Sequence, residues 1–432
     1  MKTLRDKITV LGETLVQYCW ITFEFFNKHG LANHAAAGAY GFLFSAAPAL
    51  LIVSFAVSRA LAASPETAGA LIGQLGRSLG DAFDLTGLVA GFLSASQPGA
   101  AGFVSIIGLF WTARVFALSL KRGINVIFPD PEKPLKKLLV SLGMEGAIIL
   151  FTFIAALSSD AAFVMYQAAG VRVFSFSLIR LLPPAVLALL VFGAYAFAPA
   201  VGPKKSAALK GTAFCAAAFT LLIFATRHLF NPAKYNIIYG ALGNLIILLA
   251  DVYFFFMFFF AGAEMAFIIN SFDALRLSRF IQFHTGAGGG FEKRFFLSKR
   301  GAVAKYLRSY EAGETVFRKG DESREVYYSV DGEAEVYLEE NTLLALIAPG
   351  RFFGEMGHLL SEGRSATIKA HTRLETLVIP PHIFQELLKH NPDADKQVIE
   401  ILSQRLKNVN EKLVASDQGT QSGHKNGAEA GP

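Results

Sequence analysis

Six long stretches of nearly uncharged, apolar sequence constrain this chain more than anything else in it. They run from Ala35 to Leu61, Gly102 to Leu120, Leu138 to Leu157, Ser177 to Ala198, Gly211 to Thr226 and Leu242 to Ile269. Each approaches the roughly 20 residues that a helix needs to cross a bilayer. With 53% hydrophobic residues and a mean hydropathy of +0.42, the chain is too apolar for an ordinary soluble protein. Several runs contain Gly and Pro, which membrane helices tolerate better than soluble ones. An α-helical polytopic membrane bundle of about six transmembrane helices is therefore expected over residues 1–280.

The loop charges orient such a bundle, because Lys and Arg gather on the cytoplasmic side. Lys2, Arg5, Lys7 and Lys28 precede the first run or its core, Lys121, Arg122, Lys133, Lys136 and Lys137 follow the second, and Lys204, Lys205 and Lys210 follow the fourth. The intervening loops carry only Arg59 and Arg77, Arg172 and Arg180, and Arg227 and Lys234. A multi-pass protein with both termini in the cytoplasm is expected. The net charge of +6 is mostly this loop bias, so no nucleic-acid partner is inferred from it. Cys19 and Cys215 are far apart and have neither metal-type nor redox spacing, so no disulfide framework and no metal are expected. There is no signal-peptide cleavage site, and the first run is expected to remain as an anchor.

Charged residues inside the runs are costly, at about 2.5–3.5 kcal/mol each at mid-helix, and normally face an interior or a water-filled path. Arg114 and Asp251 lie well within their runs and make a candidate ion pair or polar cavity. Glu145 and Glu264 lie nearer helix ends, where snorkelling or end-capping is the simpler expectation. The small-residue stretches Ala35 to Gly41 and Gly211 to Ala218 allow close helix packing. The run from Phe254 to Phe260 reads as packing or lipid-facing bulk.

After the runs, His284 to Gly290 forms a glycine-rich hinge within a connector, 281–300, that also carries Lys293, Arg294, Lys299 and Arg300. These cations either lie against anionic lipid, at about 1 kcal/mol each, or sit on a solvated helix. The sequence then changes character. Tyr310, Gly313-Glu314, Val316-Phe317, Gly320-Asp321, Val326-Tyr327-Tyr328 and Gly332 read as short strands joined by glycine turns, the pattern of a small β-barrel or jelly roll. From Pro381 to about Leu413 the pattern is helical, with Val398, Ile401, Leu402, Leu406, Val409 and Leu413 at three-to-four spacing. A cytosolic domain is assigned to 301–415, and the polar tail 416–432 is expected to be disordered.

Within that domain, Phe353-Gly354-Glu355-Met356-Gly357 followed by Gly363-Arg364-Ser365-Ala366-Thr367 resembles the phosphate-binding cassette of cyclic nucleotide-binding domains of the cAMP receptor and kinase regulatory-subunit type. The resemblance implies a β-jelly-roll fold with C-terminal helices, in which the helix from Pro381 to about Leu413 is the lid and the moving part. It implies that Glu355 accepts from the ribose 2′-hydroxyl, that Arg364 grips the cyclic phosphate through its planar fork, and that Ser365 adds a hydroxyl donor. Gly354 then gives the sugar-phosphate room, and Met356 completes the cassette. Gly363 stands where the family usually has Pro, His358 replaces an apolar residue, and Ser323 replaces a Gly-like position. Cyclic AMP is favoured over cyclic GMP as ligand, as the commoner bacterial signal for this fold.

Ala35-Ala36-Ala37-Gly38-Ala39-Tyr40, Ser45 and Pro48-Ala49-Leu50-Leu51 resemble the opening helix of the YihY/BrkB family of bacterial inner-membrane proteins. Phe230, Tyr235, Tyr239-Gly240-Ala241-Leu242 and Gly262-Ala263-Glu264 resemble its closing pattern, and Trp111, Arg122 and Asn125 fit around the second helix. The likeness covers about residues 10 to 275 and departs at Asp251, commonly aromatic in the family. It implies a membrane fold in the bacterial inner membrane. The family's name has been attached to virulence and to ribonuclease activity, but no Asp/Glu/His cluster with metal-ligand spacing and no nucleophile–base arrangement accompanies the likeness, so an enzyme is not expected. The leading expectation is a transport- or channel-like membrane protein regulated by cytosolic cyclic nucleotide. The alternative is a membrane scaffold whose degenerate nucleotide-binding fold serves for dimerisation or partner docking through the helix from Val398 to Leu413.

Overall fold

The computed structural model describes residues 2–44, 98–129, 175–197, 199, 202–229, 241–286, 290–338, 342–360, 362–391, 394–400 and 403. The chain divides into two units, Tyr18–Asn270 and Met1–Gln17 with Ser271–Pro432.

The first unit is helical. Its elements are α1 (Lys2–Lys28), which it shares, α2 (31–44), α3 (Pro98–Ile127), α4 (Ser175–Phe197), α5 (Lys205–Leu229) and α6 (Ala241–His284), of which it holds the part up to Asn270. Leu31, Phe116, Ile124, Tyr195, Phe256 and Phe260 are among the residues that close its core. Two glycines set how closely α5 and α6 approach. A Cβ on Gly211 would lie 2.3 Å from the carbonyl oxygen of Gly262, and one on Gly262 would lie 2.7 Å from that of Gly211. Backbone therefore meets backbone at this crossing, as the small-residue pattern predicts. Tyr195 closes the same region by donating from its hydroxyl to the carbonyl of Phe259 at 2.5 Å. On the outside, Phe44, Trp111, Leu189, Leu209 and Leu221 stand exposed. Water disfavours so dense an apolar surface, whereas lipid does not.

Among the described residues two helical stretches are long and apolar enough to cross a membrane, Lys205–Thr226 and Leu249–His284. They overlap the fifth and sixth expected runs, the second reaching past Ile269 to His284. The first run beyond 44 and the whole of the third lie outside the described residues, so the expected count of six is not established. In the Phe254–Phe260 run, Phe256, Phe259 and Phe260 are buried as packing bulk.

The second unit is built on two four-stranded antiparallel sheets, consistent with a jelly roll. Its strands are β1 (Leu307–Tyr310), β2 (Thr315–Phe317), β3 (Val326–Asp331), β4 (Ala334–Tyr337), β5 (Leu343–Ile347), β6 (Phe352–Phe353), β7 (Thr367–Ala370) and β8 (Leu374–Ile379). They are ordered β1-β8-β3-β6 and β2-β7-β4-β5. The glycine turns appear where the sequence places them. Gly332 adopts φ +79°, and a Cβ there would fall 2.1 Å from the carbonyl oxygen of Arg373, so only glycine fits the turn into β4.

Helices α7 (Gly290–Phe296) and α8 (Ala302–Tyr306) precede the barrel, α9 (Glu355–Leu359) interrupts it, and α10 (Pro381–His390) and α11 (394–400) follow it. The last part of α6, Ser271–His284, nearly four turns, belongs to this unit. Ala274, Leu277, Phe280 and Ile281 fill one core with Tyr328 and Leu377 of the sheet and with Phe384 and Leu387 of α10. Polar contacts reinforce the packing. Ser271 donates to Glu386, Asn391 donates from Nδ2 to the carbonyl of Ser278 at 3.2 Å, and His284 Nδ1 lies 3.0 Å from the Tyr328 hydroxyl.

Arg276 is almost fully buried. Its guanidinium donates to the carbonyls of Phe296 at 2.5 Å, Ser298 at 2.9 Å and Phe295 at 3.3 Å. Gln17 adds a bond to the Phe295 carbonyl at 2.7 Å. The stretch after the glycines is thus pinned by its own backbone rather than left as a bare solvated helix, and Lys299 pairs with Glu375.

The expected continuous helix from Pro381 to about Leu413 is broken at Asn391. The residue before a proline avoids the helical region, and Asn391 is extended with φ −132° and ψ 90°. Its Oδ1 then accepts from the Ala394 amide at 3.0 Å, capping α11. Val398 is buried in the barrel's core cluster, which removes it from the expected docking face. Residues 404–415 and the tail 416–432 lie outside the described residues.

Candidate functional site

Gly354 and Arg364 of the cassette meet where β6 ends in a left-handed turn. Gly354 takes φ +76° and ψ 5° and hands the chain directly to α9. A Cβ on it would lie 2.8 Å from Nη1 of Arg364, 3.2 Å from the ring of Tyr327 and 3.3 Å from that of Phe317. The sequence reading gave Gly354 the role of making room for a sugar-phosphate. In the structure the space is also needed by Arg364 itself, and the turn needs a residue that accepts positive φ.

Arg364 is 2% exposed. Its Nε donates to Ser323 Oγ at 2.9 Å, Nη1 to the Gly354 carbonyl at 2.6 Å and Nη2 to the Glu325 carbonyl at 2.8 Å. The Glu325 carboxylate stands 3.8 Å away. The guanidinium carbon lies 4.2 Å from the Phe317 ring centre and 5.4 Å from that of Tyr327, a cation held against aromatic faces. Backbone bonds fix the loop that supplies these acceptors, since Arg364 N donates to Asp321 O at 2.9 Å and Gly320 N to Arg364 O at 2.8 Å. Burial lowers the guanidinium's hold on its proton, while Tyr327, Glu325, Asp321 and Glu355 oppose that shift. Burial likewise pushes the Tyr327 phenol up to about 12.

Glu355, at the first position of α9, is fully buried. Met356 is half-buried and Ser365 exposed. Gly363 is exposed, and a Cβ there would come 3.1 Å from the Gly320 carbonyl oxygen. His358 is half-buried with its ring edge-on to Phe384 of α10, centres 5.8 Å apart. Burial is the main cause that lowers its pKa, helped by the nearby Arg324. In the sequence Ser323 stands out only as a departure from a family pattern, whereas in the structure it, Glu325, Phe317 and Tyr327 hold Arg364. No local spacing signals this, because the four come from other segments of the barrel.

In the helical unit, Arg114 stands exposed on α3 and Asp251 half-buried on α6. Glu145 lies outside the described residues, as do Phe230, Tyr235 and Tyr239. Glu264 departs from the snorkelling or end-capping expectation. It is fully buried, with Oε2 2.9 Å from Nδ1 of His29. No group of three or more His, Cys, Asp or Glu side chains able to hold a metal occurs among the described residues.

A family model described as Virulence factor BrkB matches residues 22–278, and one described as Cyclic nucleotide-binding domain matches 307–391. Three curated relatives resemble shorter stretches. The "Putative potassium channel protein" of Rhodopseudomonas palustris is 32% identical over 100 residues, 23% of this chain and 24% of that one. The cAMP-dependent protein kinase regulatory subunit of Schizosaccharomyces pombe is 35% identical over 92 residues, 21% of this chain and 22% of that one. The cAMP-activated global transcriptional regulator CRP of Salmonella typhimurium is 29% identical over 114 residues, 25% of this chain and 54% of that one. The matched stretches thus span between about a quarter and about half of these relatives' length. Among solved structures, the Thermus thermophilus catabolite activator protein is 26% identical, with 26% of this chain and 54% of that one covered and a TM-score of 0.24.

Proposed function

Because the chain belongs to the BrkB virulence-factor family of membrane proteins and carries a cyclic nucleotide-binding domain, we propose that it is a multi-pass inner-membrane protein whose membrane unit is regulated by a cyclic nucleotide bound at Arg364 and Glu355. One observation carries the binding reading. Two oppositely charged side chains are buried together beside Gly354, and burying charge is costly unless something uses it. Arg364 spends three of its donors on protein acceptors, and a cyclic phosphate arriving at the turn would exchange some of these for charge-assisted bonds. Glu355 would receive the ribose hydroxyl, with Gly354, Met356 and Ser365 framing the pocket. Cyclic AMP is the favoured ligand, since two of the curated relatives carry it in their names.

The membrane unit is read as transport- or channel-like; a relative named as a potassium channel shares a 100-residue stretch with part of this chain. Both termini are assigned to the cytoplasm on the loop charges. The matched families contain no enzyme domain, and no reaction is assigned. Coupling is assigned to α6, whose residues 271–284 share a core with α10 and the sheet, so that a shift of α10 on binding acts on the helix that also runs through the membrane unit. A coupling of about 1–3 kcal/mol would change the membrane unit's equilibrium roughly 5- to 150-fold.

The test is calorimetric titration of the full-length protein in detergent with cyclic AMP and cyclic GMP, beside Arg364→Lys and Glu355→Gln. Saturable binding that both variants weaken at least tenfold supports the pocket. Equal affinity in wild type and variants, or no heat with either nucleotide, sinks it.

A further inference from the structure

Glu264 sits in α6, in the stretch that is long and apolar enough to span a membrane, and its side chain has no solvent exposure. Only one of its oxygens is satisfied. Oε2 meets His29 Nδ1 at 2.9 Å, while Oε1 has no hydrogen-bond partner among the described residues. An ionised carboxylate offers about four lone-pair sites and loses several kcal/mol when buried with them empty. Aromatic rings pack beside the pair. Phe25 stands edge-on to the His29 ring at 5.5 Å and packs on Phe267 at 6.3 Å, one turn beyond Glu264.

The imidazole is different, because 19% of the His29 side chain reaches solvent. It occupies the turn between α1 and α2, with its amide donating to Phe25 O at 2.8 Å and the following Gly30 at φ +61°. The elements packed here also carry, among other titratable side chains, Glu24 and Lys28 of α1, His34 of α2, Lys121 and Arg122 of α3, and Lys204, Lys205 and Lys210 at the start of α5, with Tyr195 of α4 and Cys215 of α5 beside Gly262, two residues before Glu264. Lys28, Arg122 and the three lysines of α5 are exposed, and Glu24, His34 and Lys121 are half-buried. His29 is the group within hydrogen-bonding distance of Glu264.

We propose that His29 and Glu264 form a proton-exchange site in the membrane unit, with a proton from water as its ligand. With one proton shared between imidazole and carboxyl the pair is electrically neutral, the state that burial favours. A second proton, entering from hydronium at the exposed side of the pair, comes to rest on Oε1, since both ring nitrogens then carry a hydrogen, and leaves imidazolium beside a neutral carboxylic acid. Loss of the shared proton to water leaves a bare carboxylate beside neutral imidazole. Each step moves one proton and one charge, and each changes the bond that ties the α1–α2 turn to α6. Two ligand atoms fall short of the six or more oxygens that hard cations take and of the four ligands of structural zinc, so the proton is the fitting occupant.

Infrared difference spectroscopy on the full-length protein in lipid, following a pH step, reads the site directly. Wild type should show a protonated-carboxyl carbonyl band that Glu264→Gln abolishes, with the proton uptake per chain falling by about one. His29→Gln keeps the carboxyl, so it decides the matter even if Glu264→Gln does not fold. Its band should titrate with a midpoint displaced by on the order of one pH unit or more. A band that survives Glu264→Gln, or a pH profile unchanged in His29→Gln, overturns the proposal.

Discussion

Arg364 owes its position to the Gly354 carbonyl within the cassette and to two acceptors from outside it, the Ser323 hydroxyl and the Glu325 carbonyl. Removing the Ser323 hydroxyl leaves Nε–H buried against nothing, and hydrogen bonds to charged groups contribute about 1.5–3 kcal/mol. Ser323→Ala is therefore expected to lower stability by about that amount in urea melts, and to loosen the guanidinium so that nucleotide affinity changes together with stability. Ser323→Thr should restore both. His358 offers a separate check through pH. Its pKa in the folded protein is depressed by burial, so the unfolded chain binds the proton more readily. The contribution to stability is present above the ordinary histidine value of about 6.5 and is lost as pH falls through the lower folded value. His358→Leu should flatten the pH dependence of melting on the acid side, and a variant with the wild-type slope would remove His358 as the cause. At this scale the sequence was legible where chemistry is local. The spacing from Glu355 to Arg364 named both charged residues. It could not name Ser323, Glu325, Phe317 or Tyr327 as their surroundings, because those contacts exist only once the strands are stacked.

Helices and strands followed their periods well, and the exception is instructive. Apolar residues recur at helical spacing from Ile383 to Leu413, and that rhythm masked a stop at Asn391-Pro392. Proline cannot supply the amide a continuing helix needs, and asparagine is a good cap for a new one. Both signals are in the sequence, and weighting them above the periodicity would have placed the break. Asn391 also reaches across to the Ser278 carbonyl, so one side chain caps α11 and ties α10 to α6. Asn391→Ala should cost about 0.5–2 kcal/mol from the cap and, with the bond to Ser278 lost, should raise amide exchange at 394–400 and at the end of α10 together. Faster exchange at 394–400 alone would mean that the cap matters and the tie does not. Close packing at Gly211 was legible, since small residues at a helix contact have one evident use, whereas its partner Gly262 on α6 was not, because the contact exists only once the helices cross.

For the molecule as a whole, the sequence changes from apolar runs to glycine-punctuated strands, and the glycine-rich stretch between them is where composition alone would place a flexible link. That expectation follows from composition, because glycines mark flexible chain. What composition cannot reveal is that the end of α6 fills a core. Ala274, Leu277, Phe280 and Ile281 sit against Phe384 and Leu387, so the helix that leaves the membrane unit is itself part of the nucleotide domain. A ligand that moves α10 must then either carry residues 271–284 with it or open a packed contact, and opening one exposes apolar surface at about 25 cal/mol per Å². Moving together is the cheaper course. Hydrogen exchange on the full-length protein distinguishes the two routes. With saturating cyclic AMP, exchange should change at 353–366 and 381–390, and also at 271–284, with none of these changes in Arg364→Lys. Because ligand at a hundred times its dissociation constant stabilises by about 2.7 kcal/mol, the change at 271–284 should be measurable against the barrel's own. Protection confined to 353–366, with 271–284 exchanging as before, would mean that the pocket binds without moving the helix and that the signal runs through the glycines after all.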